Sequence, residues 1–278
     1  MSELSKFQSH MQPLIDDTVN KLVKKRFEED PLLPGQYSRI ASIVSSAYKR
    51  HGFILEQAIL FRLSQNNNLF VWDDPKFGVS ASAESLVSTF IDREEDALDT
   101  DLPYLEDPSN HVRTIQVDVL VYNKTDRSLT SYEVKRGNGT HDAGKKRSMK
   151  RDLLIQQTLL KSYGSKRNLD VSRVDSRIIF YYGQCSLPKP FSLVGDEIDA
   201  EFNWSIRDFV EEANRMLASR LTDEIDKLLA PEQEKNDRPT LELETQHIQT
   251  ILAQAAQPSA LSNKPSFFSR LLSLGDKR

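Results

Sequence analysis

The sequence predicts an α/β fold, because segments with helical and strand periodicity follow one another along the 278-residue chain. Apolar residues recur at helical spacing over residues 37–65, where Gly52 is a candidate break. Two alternating runs, 114–122 and 129–136, predict the strands of a hairpin. A basic helix and a buried strand over residues 177–183 are predicted to follow.

The segments before the hairpin predict further elements. Residues 1–36 form an N-terminal helical extension in this interpretation, since its helical pattern ends near two prolines. Residues 69–72 predict the first strand, and 73–78 predict a turn. An acidic insertion over residues 84–110 is expected to contain a short helix at 84–90 and then a solvated loop.

The end of the chain predicts a helix and a tail. Apolar positions over residues 204–229 predict an amphipathic helix, which completes a domain of residues 37–230. Residues 231–278 are rich in Gln, Glu, Ser, Pro and Ala, which is typical of a flexible tail. Its apolar residues 267–272 could dock on a partner protein, on a second copy or on the chain's own domain.

Composition restricts the class of protein. Charged residues make up 28% and hydrophobic residues 38% of the chain, and no run reaches the length of a membrane span. The N-terminus lacks the layout of a signal peptide, and Cys185 as the single cysteine excludes an intramolecular disulfide. The expectation is therefore a cytoplasmic protein without a membrane partner, and scattered histidines argue against zinc.

The charge distribution favours a nucleic-acid partner despite a net charge of −4. Residues 131–177 contain 12 Lys and Arg against 5 Asp and Glu, a local net charge of +7. Residues 92–107 contain 8 acidic residues against one Arg, a local net charge of −7. A basic stretch of this kind is the footprint of phosphate-backbone binding, and the acidic stretch is either a solvated loop or a cover over the basic groove.

The hairpin brings acidic residues together. If the turn at residues 123–128 closes symmetrically, positions whose numbers sum to 251 oppose each other, and Asp118 faces Glu133 with Cβ atoms roughly 5 Å apart. Lys135 shares the face of Glu133 because alternate residues of a strand point the same way. The same alternation predicts that Val117 and Val119 share one face, with Asp118 and Leu120 on the other.

Two carboxylates and an ammonium group at one place indicate metal chemistry. Paired carboxylates repel each other unless a cation lies between them, and hard oxygen ligands favour Mg²⁺, with Mn²⁺ as a substitute. The carbonyl of Val134 borders the same place and could add a ligand. Lys135 could orient a metal-bound water or neutralise charge on a phosphoryl group, which is an apparatus for phosphodiester hydrolysis.

The order Asp118, hairpin, Glu133-Val134-Lys135 resembles the PD-(D/E)XK nuclease superfamily over about residues 40–185, although Val117 stands where the motif has proline. The resemblance implies a restriction-endonuclease-like core, with a central mixed sheet flanked by helices. It implies a metal-dependent nuclease that cleaves DNA in restriction, defence or a mobile element, as an endonuclease or an exonuclease. A glutamate on the preceding helix often completes such sites. Glu56 is the candidate here, with Glu84 in reserve and a solvent-facing Glu56 as the plain alternative.

Six cationic residues after the motif are predicted to contact the nucleic-acid backbone: Arg136, Lys145, Lys146, Arg147, Lys150 and Arg151. A solvated helix surface is the alternative for this group. For the whole chain, the alternatives are an inactive nuclease-fold protein that binds nucleic acid or a partner, and a phosphatase for small molecules.

Overall fold

A computed structural model describes residues 2–33, 35–91, 100–137 and 139–230. The chain divides into two compact units, Met1–Leu229 and Ala230–Arg278. The helices and strands described below belong to the first unit. The predicted tail and its apolar residues 267–272 lie outside the described residues.

The described residues contain a five-stranded mixed sheet with the strands in chain order. β1 and β2 are antiparallel, as are β2 and β3, whereas β3 to β4 and β4 to β5 are parallel. The strands are β1 (Leu69–Ser80), β2 (His111–Asn123), β3 (Ser128–Lys135), β4 (Arg173–Phe180) and β5 (Ser192–Val194).

Six α-helices in the described part of the chain flank this sheet, which confirms the predicted α/β class. They are α1 (Glu3–Lys24), α2 (Gln36–Ser64), α3 (Ala81–Phe90), α4 (Ala143–Lys166), α5 (Ile198–Phe202) and α6 (Arg207–Leu229). Buried residues of α3 and α4 form one core with one face of the sheet, and those of α1, α2 and α6 form a second core with the other face.

Strand alternation divides β3 between these two cores. Leu129 belongs to the core under α4, whereas Tyr132 and Val134 belong to the core under α2. Full burial of an apolar side chain of this size stabilises a fold by about 1.5–3 kcal/mol, so both layers hold the sheet firmly. Since Tyr132 and Val134 point one way, Glu133 and Lys135 point the other way, as predicted.

The N-terminal segment is one helix within the same compact unit. α1 begins after Ser2, whose side chain accepts a hydrogen bond from the Ser5 N–H. Its buried residues Phe7, Met11 and Ile15 lie in the core that also contains α2 and α6.

Two local predictions are wrong. Gly52 does not split the second helix, because α2 runs unbroken from Gln36 to Ser64. Residues 73–78 are not a turn, because β1 continues to Ser80. β1 is an edge strand with a register shift around Pro75, and both features accommodate a residue that lacks a backbone N–H.

The described part of the acidic segment lies along α4. Lys161 Nζ is 2.5 Å from Asp101 Oδ2, and the Leu102 N–H donates to the Thr158 carbonyl at 2.8 Å. The predicted short helix at 84–90 is α3, whereas residues 92–99 of the acidic stretch lie outside the described residues. In the part of the chain that the structure describes, no helix is long and apolar enough to cross a membrane.

Candidate functional site

The hairpin has the predicted register. Val119 opposes Tyr132 and Asn123 opposes Ser128, so paired positions sum to 251. The regular ladder ends at Val119, one step before Asp118 and Glu133. Lys135 Nζ lies 2.5 Å from Glu133 Oε1, which places both side chains on one face at the carboxyl end of β3.

A β-bulge changes the direction of β2 at the site. Trp72 opposes Leu120 and Asp74 opposes Val117, so Asp73 alone faces both Asp118 and Val119. The predicted alternation holds from Val119 onward, but the prediction that Val117 shares the face of Val119 is wrong. Val117 and Leu120 both lie in the core under α4, and Val119 lies in the core under α2. Bulges often redirect a side chain beside an active site, and this one lies at Asp118.

Asp118 is buried but hydrogen-bonded. The residue is only 8% exposed, and its Oδ2 accepts a hydrogen bond from the Val134 N–H at 2.8 Å. Gln116 Nε2 donates to the Asp118 Oδ1 at 3.2 Å. Burial raises the pKa of Asp118, although the Val134 N–H and the Lys135 ammonium oppose that rise.

Glu56 of α2 is electrostatically coupled to Asp118 and Lys135. Burial, and then the charge of Asp118, raise the pKa of Glu56 from 4.5 to about 7. Its Oε1 accepts a hydrogen bond from Gln57 Nε2 at 3.2 Å. The reserve candidate Glu84 has different partners, since it forms ion pairs with Arg113 and Arg151.

Lys135 balances part of this negative charge. Burial alone would lower the pKa of its ammonium group, but Glu133, Asp118 and Glu56 outweigh that effect and raise the pKa. The site therefore holds three carboxyl groups around one ammonium group. Burial, followed by the charge of Asp118, raises the pKa of Glu56 enough to keep this carboxyl group partly protonated at neutral pH.

The chain turns directly after the motif. Gly137 has a φ of +67°, and a Cβ atom there would lie 2.8 Å from the Cβ of Phe180. Glycine is required by both the backbone conformation and the close approach. The Arg136 carbonyl accepts a hydrogen bond from the Tyr182 N–H at 2.7 Å, which fixes Arg136 one residue beyond Lys135.

Arg136 packs on aromatic rings. Its guanidinium lies 3.5 Å from the ring centroid of Tyr48 and 5.7 Å from that of Tyr182, and its Nη1 donates to the Tyr48 carbonyl at 3.1 Å. Burial lowers the pKa of Arg136. The sequence analysis did not identify either tyrosine as a site residue. Tyr48 fits the apolar pattern of α2, and its meeting with Arg136 is a long-range contact.

The other predicted cationic residues lie on the first turns of α4, which Asp142 caps by accepting the Lys145 N–H at 2.8 Å. Lys145 and Arg147 are exposed, and Lys146 is half-buried. Lys150 Nζ lies 5.5 Å from the Phe191 ring centroid, and Arg151 pairs with Glu84. Lys145, Lys146 and Arg147 therefore stay the candidates for phosphate contacts at the start of α4.

Comparison of the chain with models of protein families, with curated proteins and with solved structures finds no match. The resemblance to the nuclease superfamily therefore rests on the motif.

The donor chemistry of the site suits a hard divalent cation. Asp118, Glu133 and Glu56 offer carboxylate oxygens. Burial, together with a neighbouring carboxylate, raises the pKa of Asp118 and of Glu56, and a bound cation would favour the charged form of both groups. Among the described residues, no group of three or more His, Cys, Asp and Glu side chains is arranged to hold a metal ion. Glu133 instead contacts Lys135, so metal binding would require this ion pair to open.

Proposed function

We propose that this protein is a metal-dependent nuclease with a restriction-endonuclease-like core, and that it hydrolyses phosphodiester bonds of DNA. One observation carries the proposal. Asp118, Glu133 and Lys135 converge at the end of the central hairpin, and the charge of Asp118 contributes to the raised pKa of Glu56 on α2. Carboxylates whose pKa values are raised beside a lysine are typical of catalytic sites.

Each residue has a distinct task in this proposal. Asp118, Glu133 and the Val134 carbonyl would hold Mg²⁺ or Mn²⁺, which when bound would supply Lewis-acid stabilisation of the phosphate. Lys135 carries a positive charge that stabilises the negative charge developing on the phosphoryl oxygens and orients the attacking water. Glu56, with a pKa of about 7, is suited to exchange a proton near neutral pH.

The Val134 N–H orients the Asp118 carboxylate by donating to Oδ2, which leaves Oδ1 on the side of Gln116. The two hydrogen bonds hold the buried carboxylate in place from both oxygens. A preorganised carboxylate of this kind binds a cation with little further ordering of the side chain.

Purified full-length protein is expected to cut linear or circular DNA with Mg²⁺ or Mn²⁺ and to leave it intact in EDTA. The measurement is the appearance of nicked, linear or shortened DNA on a gel, with an RNA substrate in parallel. Absence of cleavage on every DNA under both metals would contradict the proposal. DNA binding that persists without cleavage would support the alternative, an inactive nuclease-fold binding protein.

The basic start of α4 gives a second prediction. The double variant Lys145→Ala/Lys146→Ala is expected to weaken duplex binding and to make binding less dependent on salt. Each phosphate contact releases counterions from the DNA, so a variant with fewer contacts releases fewer counterions on binding. Binding is measured by fluorescence anisotropy over a salt series in EDTA. Lys6→Ala, which removes an exposed lysine of α1, is the control. Equal salt slopes for the double variant and wild type would exclude these phosphate contacts.

A further inference from the structure

An aromatic surface borders the proposed active site. Tyr48 of α2 and Tyr182, just beyond β4, are 47% and 40% exposed. Arg136 lies over the Tyr48 ring and near the Tyr182 ring, and the His51 and Tyr182 ring centroids are 5.9 Å apart. We name Tyr48, Arg136 and Tyr182 the stacking platform.

Backbone hydrogen bonds fix the platform next to the end of β3, which carries Glu133 and Lys135. The Tyr181 N–H donates to the Lys135 carbonyl at 2.9 Å, and the Tyr182 N–H donates to the Arg136 carbonyl at 2.7 Å. Tyr48 and Glu56 lie eight residues apart on α2, which corresponds to about 12 Å along the helix axis. A nucleic-acid strand with a rise of roughly 3.4 Å per nucleotide covers that distance in about four nucleotides.

The position of Arg136 is poorly explained by stability alone. Its Nε–H is buried and has no hydrogen-bond partner among the described residues. An unpaired buried donor normally destabilises a fold. The aromatic rings around it also remain partly in water rather than filling either core.

Two exposed cationic residues, Lys49 and Arg50, lie on the same turn of α2 as Tyr48. Aromatic rings combined with cationic groups are the usual surface for an unpaired strand, because bases stack on the rings while phosphates contact the charges. Bases in a duplex already stack on each other, so an exposed ring can stack only on a base that is unpaired or flipped out.

We propose that the stacking platform binds an unpaired nucleobase, and that the substrate is single-stranded DNA or a DNA end with unpaired bases. This inference rests on the proposed nuclease function for its choice of ligand, and it specifies the substrate of that function. Arg136 acts as a positioning residue that holds the Tyr48 ring in a fixed orientation. The tyrosine rings make the contact with the base.

The test measures stacking without cleavage. Full-length protein in EDTA is mixed with single-stranded oligonucleotides that carry 2-aminopurine at successive positions, and fluorescence quenching reports stacking of that base. Wild type is expected to quench one or two adjacent positions. Tyr48→Ala and Tyr182→Ala are each expected to weaken single-strand binding about tenfold and to remove the quenching, with little change in duplex binding.

Matched variants separate stacking from other roles. Tyr48→Phe and Tyr182→Phe keep the rings and are expected to bind as wild type. Phe70→Ala removes a 49% exposed ring near the hairpin turn, at the other end of the sheet, and is expected to change nothing. Alanine variants that bind single strands as tightly as Phe70→Ala would overturn the platform, as would equal losses for single-stranded and duplex DNA.

The two proposals fail separately. Metal-dependent cleavage that persists with unchanged single-strand preference in both alanine variants would leave the nuclease intact and overturn the platform. Position-specific quenching in a wild-type protein that cuts no DNA would support the platform and contradict the nuclease.

Discussion

Asp118→Asn is expected to reduce DNA cleavage by at least about 10²-fold while the protein remains folded. The effect on rate follows from the loss of a charged group at the centre of the proposed site, where single electrostatic contributions are of order 10²–10³. The amide oxygen of Asn can still accept the Val134 N–H that Asp118 Oδ2 accepts at 2.8 Å. The measurement is the initial cleavage rate with Mg²⁺, beside a urea unfolding curve.

The stability of the variant distinguishes a catalytic role from a structural one. The pKa of Asp118 is raised, so the folded state gains stability as pH falls through that pKa and loses it as pH rises. A neutral Asn removes this penalty at neutral pH, and the free energy of unfolding is expected to be unchanged or higher. Asp118→Ala instead leaves the Val134 N–H unpaired and is expected to lose about 1–3 kcal/mol.

Asp226→Asn is the matched control, because Asp226 is an exposed acid on α6. It is expected to cut DNA at the wild-type rate. Cleavage by Asp118→Asn at a rate similar to that of Asp226→Asn would remove Asp118 from the proposed mechanism.

The hairpin was predictable because its signals are local. Strand alternation and a turn of compatible residues determine a symmetric register, and Val119 does oppose Tyr132. The bulge at Asp118 was not predictable in this way, since it arises from pairing with β1, whose strand continues through Asp73 and Asp74. Those residues favour turns in isolation, and pairing with β2 overrides that preference.

Helix packing explains the missed continuity of α2. Gly52 lowers the helix propensity by about 1 kcal/mol, but buried neighbours such as Ile54 and Leu55 anchor the helix on the sheet. At the site, the surroundings of Arg136 were likewise not predictable from local sequence. Its charge predicted a phosphate contact, whereas its packing on Tyr48 depends on residues 88 positions apart in the chain.

Lys135→Met is expected to lower both activity and stability, and its effect on stability is expected to depend on pH. Loss of the ammonium group removes the positive charge that pairs with Glu133 and that also favours the charged forms of Asp118 and Glu56. Since Lys135 and Glu133 are both partly exposed, the expected loss at neutral pH is about 1–2 kcal/mol rather than that of a fully buried pair. Cleavage is expected to fall by about 10²-fold.

The pH dependence follows from the raised pKa of Glu56. Its folded pKa of about 7 lies above its unfolded value, so Glu56 stabilises the fold at acidic pH and loses that contribution as pH rises through about 7. Methionine at position 135 raises this pKa further, because Lys135 no longer favours the charged carboxylate. The stability deficit of Lys135→Met is therefore expected to be smaller near pH 5 than near pH 8, and the part that comes from the lost ion pair with Glu133 remains at both pH values.

Urea unfolding at these two pH values measures the deficit, and Lys6→Met serves as the control for loss of an exposed lysine. Adding Glu56→Gln to Lys135→Met is expected to restore part of the stability near pH 8, because it removes one of the repelling carboxyl groups. A double-mutant cycle then gives the coupling between Lys135 and Glu56. A coupling free energy of zero, or a stability deficit that does not change with pH, would show that Lys135 and Glu56 do not interact electrostatically.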